Sequence, residues 1–197
     1  HAAAVRVDDA AIGFLGDCTF GKSSLVAAFV QAGHRILTDD LLMLVSADRP
    51  PIALPGSGRI KLHPDSAAVF LDGGATGEPL NRRTEKRSFS VPEDRVQRTA
   101  LPLTHMFVLP APDERTDTRT ISIEPLTRPA VFREAVKGSF NVDFLTRPRL
   151  RNQFGQAAEL AHQMAGARLR YPEGLDHLPL VRQQIVDYVR QTENRSH

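Results

Sequence analysis

The chain has 197 residues, 41% hydrophobic and 24% charged, with a net charge of +2. That is enough apolar material for one good core, and too mild a charge for nucleic acid, which wants basic residues gathered on one face. A single cysteine excludes an internal disulfide framework and agrees with a cytoplasmic setting, and no apolar run reaches the 18 residues that would suggest a membrane helix. The chain opens on His1 rather than Met, as expected of a trimmed chain that an amino-terminal domain could precede. We read residues 1–197 as one domain.

In chain order, Ala2 to Asp8 and Ala11 to Leu15 predict a β-hairpin turning at Asp8-Asp9. Its second strand feeds Gly16-Asp17-Cys18-Thr19-Phe20-Gly21-Lys22-Ser23, which fits G-x-x-x-x-G-K-[ST]. In that motif backbone N–H groups cradle polyphosphate, the lysine reaches the outer phosphates and the hydroxyl holds Mg²⁺. Lys22 to Ala32 has helical apolar spacing and ends at Gly33. Strand, glycine loop and helix start together form an anion site, because unpaired N–H groups and the helix dipole act in the same direction. Ser24 belongs to this loop rather than to a hydrolase triad.

Ile36-Leu37-Thr38 predicts a strand that ends at Asp39-Asp40, 16 residues beyond Ser23. Adjacent carboxylates beside Mg²⁺ and a triphosphate can divide their work, one orienting the metal and the other accepting a proton from a hydroxyl. Leu41 to Ser46 reads as a further apolar strand, and Asp48-Arg49-Pro50-Pro51 as a turn. A helix is expected to start around Leu62 to Ser66 and to hold Ala67 to Leu71. Residues 72–100 read as a long polar loop. Leu103 to Leu109 and Thr118 to Ile123 predict strands, and Pro129 to Val136 and Asn152 to Ala165 predict helices. Ala167 to Tyr171 alternates like an edge strand; Leu178 to Val189 reads as a terminal helix, with a frayed tail from Gln191. The sum is an α/β fold, a mixed twisted sheet flanked by helices, with nucleotide at the strand carboxyl ends. No zinc-ligand spacing occurs.

Gly16 to Ser23 followed by Gly33-His34-Arg35-Ile36-Leu37-Thr38-Asp39-Asp40 resembles the catalytic domain of HPr kinase/phosphorylase, a P-loop kinase related in fold to phosphoenolpyruvate carboxykinase. The strong resemblance covers His1 to about Val45. Pro55 to Ser66 and Leu169-Arg170-Tyr171-Pro172 further resemble short HPr-kinase-like proteins, among them kinases of lasso-peptide precursors.

The resemblance implies that Lys22 neutralises β- and γ-phosphate oxygens, that Ser23 and Asp39 face the metal, and that Asp40 deprotonates the acceptor. It implies that His1 matches a histidine close to the transferred phosphate. Thr19 stands where the family often has glycine. The family's glycine-rich E-I-R-G-L-G signature is replaced here by Arg59-Ile60-Lys61-Leu62-His63-Pro64-Asp65. That departure implies a kinase-only enzyme with an acceptor other than HPr. Expected cofactors are ATP and Mg²⁺; the expected partner is a peptide or protein bearing a serine hydroxyl, with no nucleic acid or membrane, and the family's rings leave a homo-oligomer open.

A second cation beyond Lys22 is chemically expected. Lys61 and Lys86-Arg87 are candidates, with Lys86 or Arg87 favoured to close over the nucleotide, whereas Arg82-Arg83 could instead grip an acidic or carboxylate-bearing substrate. A small-molecule kinase and a nucleotide-binding regulatory module stay open as alternative functions.

Overall fold

The computed structural model of the chain describes residues 1–45, 50–71, 76–115, 120–139 and 147–194. The expected hairpin is present. β1 (Ala2–Val7) and β2 (Ala10–Leu15) pair antiparallel from Val7–Ala10 out to Ala2–Leu15, and Asp8 and Asp9 alone make the turn, Asp8 at φ 49°. Nearly every residue of both strands is buried. The sheet is covered on both faces here, so the strands read as unbroken apolar runs rather than alternating ones.

α1 (Lys22–Gln31) follows the glycine loop, ends beside Gly33 at φ 99°, and returns the chain into β3 (Arg35–Thr38), antiparallel to β1. Then come β4 (Leu44–Val45), β5 (Ile52–Ala53), β6 (Arg59–Leu62), α2 (Pro64–Phe70), β7 (Glu78–Pro79) and β8 (Arg87–Ser90). β9 (Leu101–Val108), β10 (Ser122–Pro125), α3 (Arg128–Gly138), α4 (Arg147–Gln163), β11 (Ala165–Arg170) and α5 (Leu178–Asn194) complete the described elements.

The main sheet runs β10-β11-β9-β2-β1-β3, with β5 on the start of β9 and β4 on β5. β2–β9 and β9–β11 are parallel and the other pairs antiparallel, so the sheet is mixed as expected. A smaller antiparallel sheet, β6-β8-β7, stands beside it. Alternation along the strands sorts the core into two halves. Ala3, Val5, Ile12, Phe14 and Phe107 pack with α1 and α5, whereas Ala2, Ala4, Leu15, Met106 and Val108 face Val131 of α3 and Ala161 of α4.

Several sequence expectations are corrected. Of Leu41 to Ser46, Leu44–Val45 is strand, Leu41, Met43 and Val45 are 46%, 48% and 43% exposed, and Ser46 lies outside the described residues. This stretch has no sheet neighbour to cover it until β5, so it runs over the surface. Asp48-Arg49 of the expected turn, and Thr118-Arg119 of the expected strand, lie outside the described residues; the strand there is Ser122–Pro125. Within 72–100 the expected loop holds β7, β8 and a 3-10 turn at Glu93–Arg95. Its partners are distant in sequence: Phe89 enters the α1 side of the core, and Arg59 reaches Ser88 at 2.8 Å and Glu78 at 2.5 Å.

β11 is an interior strand rather than an edge. Its alternating arginines are matched by acids on neighbouring elements, Arg168 by Glu134 at 3.5 Å and Arg170 by Glu124 at 3.3 Å. α5 continues past Gln191 to Asn194, because Thr192 is tied inward to His105 at 2.8 Å.

Candidate functional site

The glycine loop bends where its sequence permits. Gly21 sits at φ 89°, and a Cβ there would meet the Arg115 guanidinium at 3.1 Å, so only glycine fits without displacement. Thr19 adopts φ 76°, a left-handed conformation that costs a non-glycine residue roughly 1 kcal/mol or more. Gly21 caps α1 without any side-chain hydrogen bond, so the amide donors of the first turn keep no side-chain acceptor of their own. They point where an anion would sit.

Lys22 is 6% exposed and donates from Nζ to the carbonyls of Gly16 at 2.6 Å and Asp17 at 2.9 Å. Burial pushes its pKa down, Cys18 and Asp39 oppose that, and the charge of Lys86 adds to it. Lys86 is therefore electrostatically part of the same cluster.

β3 delivers the two acids to the lip of this loop, and their environments differ. Asp39 is 7% exposed; its Oδ2 accepts from the Lys61 backbone N–H at 2.7 Å, while Oδ1 is buried with no hydrogen-bond partner. Burial pushes its pKa up to about 6, against the lowering effects of Lys61 N–H and the nearby Ser23 hydroxyl. Asp40 is half-exposed. Lys61 Nζ meets its Oδ2 at 2.5 Å, and the His1 imidazole Nδ1 lies 3.5 Å from its Oδ1. The His1 backbone nitrogen donates in turn to the Gly138 carbonyl at the end of α3.

A cavity of about 280 Å³ joins these groups. It is lined by Asp17, Cys18, Thr19, Gly21, Lys22, Ser23 and Ser24 from the loop and helix, by Asp39 and Asp40, and by His1, Lys61 and Lys86. Gly16 and Phe20 face a neighbouring cavity instead, also bordered by His1 and Asp17. Arg87 is exposed on β8 and does not line the phosphate-loop cavity, so of the favoured basic pair only Lys86 reaches it. Lys61, on β6 of the small sheet, stays 41% exposed along its side chain while its Nζ reaches Asp40.

A hard divalent cation such as Mg²⁺ takes oxygen ligands. The residues fit it: a buried carboxylate oxygen of Asp39 lacks a partner, and Ser23 borders the same cavity. Lys22 of α1, Lys61 of β6 and Lys86 just before β8 line the same cavity as the loop. Such an arrangement can hold a polyphosphate and leave one carboxylate, Asp40, facing outward.

Sequence reasoning missed Arg115. Its Nη2 donates to the Phe20 carbonyl at 2.9 Å, and its guanidinium lies 5.6 Å from the Tyr171 ring centroid, bracing the loop from behind. Nothing local announces it, since it follows a short 3-10 turn ninety-odd residues downstream.

No protein-family model and no curated protein matches the sequence. Among solved structures, the HPr(Ser) kinase/phosphatase from Coxiella burnetii superposes with a TM-score of 0.52 at 16% identity, over 100% of this chain and 96% of that one. Among the described residues, no helix is long and apolar enough to cross a membrane. The glycine loop, the mixed sheet and the flanking helices together give this chain an HPr-kinase-like fold.

Proposed function

We propose that the protein is a phosphotransferase that moves the γ-phosphoryl group of ATP onto a hydroxyl, in the first instance a serine-type hydroxyl of a peptide or protein. One observation carries this reading: two adjacent carboxylates at the mouth of a phosphate loop, one buried with an unpartnered oxygen and the other half-exposed with an oxygen turned toward His1. A protein that only bound nucleotide would have no use for the second, outward-facing acid. The HPr-kinase-like fold supports the same class of chemistry.

The loop amides and Lys22 grip the β- and γ-phosphates. Ser23 and Asp39 would hold Mg²⁺, which would supply neutralisation of the polyphosphate's negative charge. Asp40 accepts the acceptor's proton on Oδ1, the oxygen that Lys61 does not hold, as the new O–P bond forms and the bond to the β,γ-bridging oxygen breaks, releasing ADP. Lys61 fixes the carboxylate's orientation and, with Lys86, places positive charge where the transferring group gains negative charge. His1 stands beside the same oxygen and can hold a proton there.

The test is incubation with γ-labelled ATP, Mg²⁺ and serine-containing peptides, followed by intact mass for one added phosphate. Asp40→Asn is expected to keep nucleotide binding and to lower transfer about a hundredfold or more. Transfer at the unmodified rate would remove Asp40 from the mechanism, and absence of any nucleotide binding would remove the reading.

A further inference from the structure

We propose that the groove between α4 and the Leu41–Leu44 segment is the acceptor site, and that it takes an extended peptide whose apolar and acidic residues lie beside the reacting hydroxyl. The proposal rests on the phosphotransferase reading and adds to it where the acceptor lies and what chemistry it carries.

The groove is a cavity of about 410 Å³, and it shares His1 with the phosphate-loop cavity. Since His1 is 3.5 Å from Asp40, the groove opens at the outward-facing acid. One wall is apolar: Leu41, Leu42 and Leu44 follow directly from the acidic pair, with Met106 behind them. Leu41, Met43 and Val45 are all more than 40% exposed, an unusual run of large apolar side chains left in water next to a reactive centre.

The facing wall is polar and periodic. Arg149, Asn152, Gln153 and Gln156 fall at i, i+3, i+4 and i+7 of α4, so one helix face presents them all to the cavity. Among the described residues, the three side-chain amides make no hydrogen bond. Each offers a donor and an acceptor at once, which is the pattern repeated along a peptide backbone. From 149 to 156 a helix rises about 10 Å, the span of about three extended residues.

Charge selects further. Arg149 is the charged α4 side chain in the lining, no carboxylate lines the groove among the described residues, and Arg147 and Arg151 flank it on the same helix. A basic peptide meets repulsion there and an acidic one attraction. Apolar side chains against the leucine wall, backbone against the amide row and an acid near Arg149 describe one occupant.

The experiment uses the full chain with Mg²⁺, ATP and a set of short serine peptides. The three positions on either side of the serine are apolar and acidic, or apolar and basic, or polar and neutral. Apolar-acidic peptides are expected to show at least tenfold higher kcat/KM than apolar-basic ones. Arg149→Glu is expected to reverse that order, while Arg182→Glu, on α5 across the sheet, should leave it in place. Gln153→Ala combined with Gln156→Ala should raise peptide KM at least fivefold, with ATP KM read in parallel. If all peptides are phosphorylated alike and Arg149→Glu does not shift the order, the groove assignment is overturned while phosphoryl transfer stands. If only small alcohols accept phosphate, the peptide assignment is overturned. If ATP binds and no hydroxyl accepts phosphate, the underlying reading fails instead.

Discussion

On one face of the main sheet lies α1, with seven of its ten residues buried and Phe29 ring-packed 5.5 Å from Phe14, which stands 6.2 Å from Phe107. On the other lies α4, seventeen residues long, of which Ala157 and Ala161 are buried. The phosphate loop grows directly into the first helix, and the groove lined by amides belongs to the second. A helix buried by large aromatics opens only with much of the core; one whose buried residues are two alanines, held otherwise by partly exposed contacts such as Phe154 on Phe132 and by Leu160, shifts at smaller cost. In the proposed reading the anion site thus lies on the firm side and the acceptor groove on the more adaptable one.

Four measurements break or sharpen this contrast. The largest effect is expected from Phe14→Ala, which empties a fully buried site between β2, β9 and α1 and should lower stability by about 3–5 kcal/mol in a urea titration. Leu160→Ala on α4, only partly buried, should cost under about 1.5 kcal/mol. Comparable losses at the two sites would end the distinction.

Next in size is an acid response on the firm side. His105 is buried against Phe107 and Tyr188, and burial pushes its pKa down to about 4. The unfolded chain then binds this proton first, so stability is intact above about pH 6.5 and falls as pH drops toward 4, by up to about 3 kcal/mol. His105→Gln should flatten that part of the pH–stability curve measured by thermal melting.

Asp39 carries the opposite sign. Its pKa is raised to about 6, so the folded protein holds this proton more tightly than the unfolded chain. The resulting stabilisation is full below about pH 4 and is lost as pH rises through 6. Asp39→Asn should therefore raise ligand-free stability at pH 7 by about 1–2 kcal/mol, while weakening Mg²⁺-dependent nucleotide binding in calorimetry. A variant that lost stability at pH 7 would mean that the Lys61 N–H hydrogen bond outweighs burial.

The smallest effect concerns the brace behind the loop. Arg115→Ala removes the bond to the Phe20 carbonyl and the guanidinium near Tyr171, and is expected to weaken nucleotide binding by about 1 kcal/mol, roughly fivefold. Arg115→Lys should restore part of this loss, because a lysine can reach a carbonyl without lying flat over a ring. Unchanged affinity in both variants would show that Gly21 holds the loop unaided.

The first forty residues were legible because their instructions are local: a two-residue turn, an apolar strand, a glycine loop, a helix and a strand follow one another in the order they pack. The same holds for the start of α2, where Pro64 sits at the first helical turn after His63. Legibility ended where partners are remote. Arg87 to Ser90 looks like loop until Arg59 to Leu62 is placed beside it. The alternating arginines of β11 suggest an edge until Glu134 and Glu124 are seen to meet them. At the site, the loop, Asp39 and Asp40 were readable from spacing, but the engagement of Lys61 with Asp40 depends on how the small sheet stands against the large one. Lys86 and Arg87 are neighbours in sequence and point to different surroundings, a distinction that only strand pairing decides.

The parallel pairing of β2 with β9 has a consequence for synthesis. Leu15, at the root of the loop, finds its cross-strand neighbour in Val108, and β9 finds its own in β11 later still. During translation, α1 can cover one face of the hairpin, but the opposite face and the β2 edge must wait unpaired until residues beyond 108 have left the ribosome. Nascent fragments ending before that point are expected to be chaperone clients and to aggregate when expressed alone.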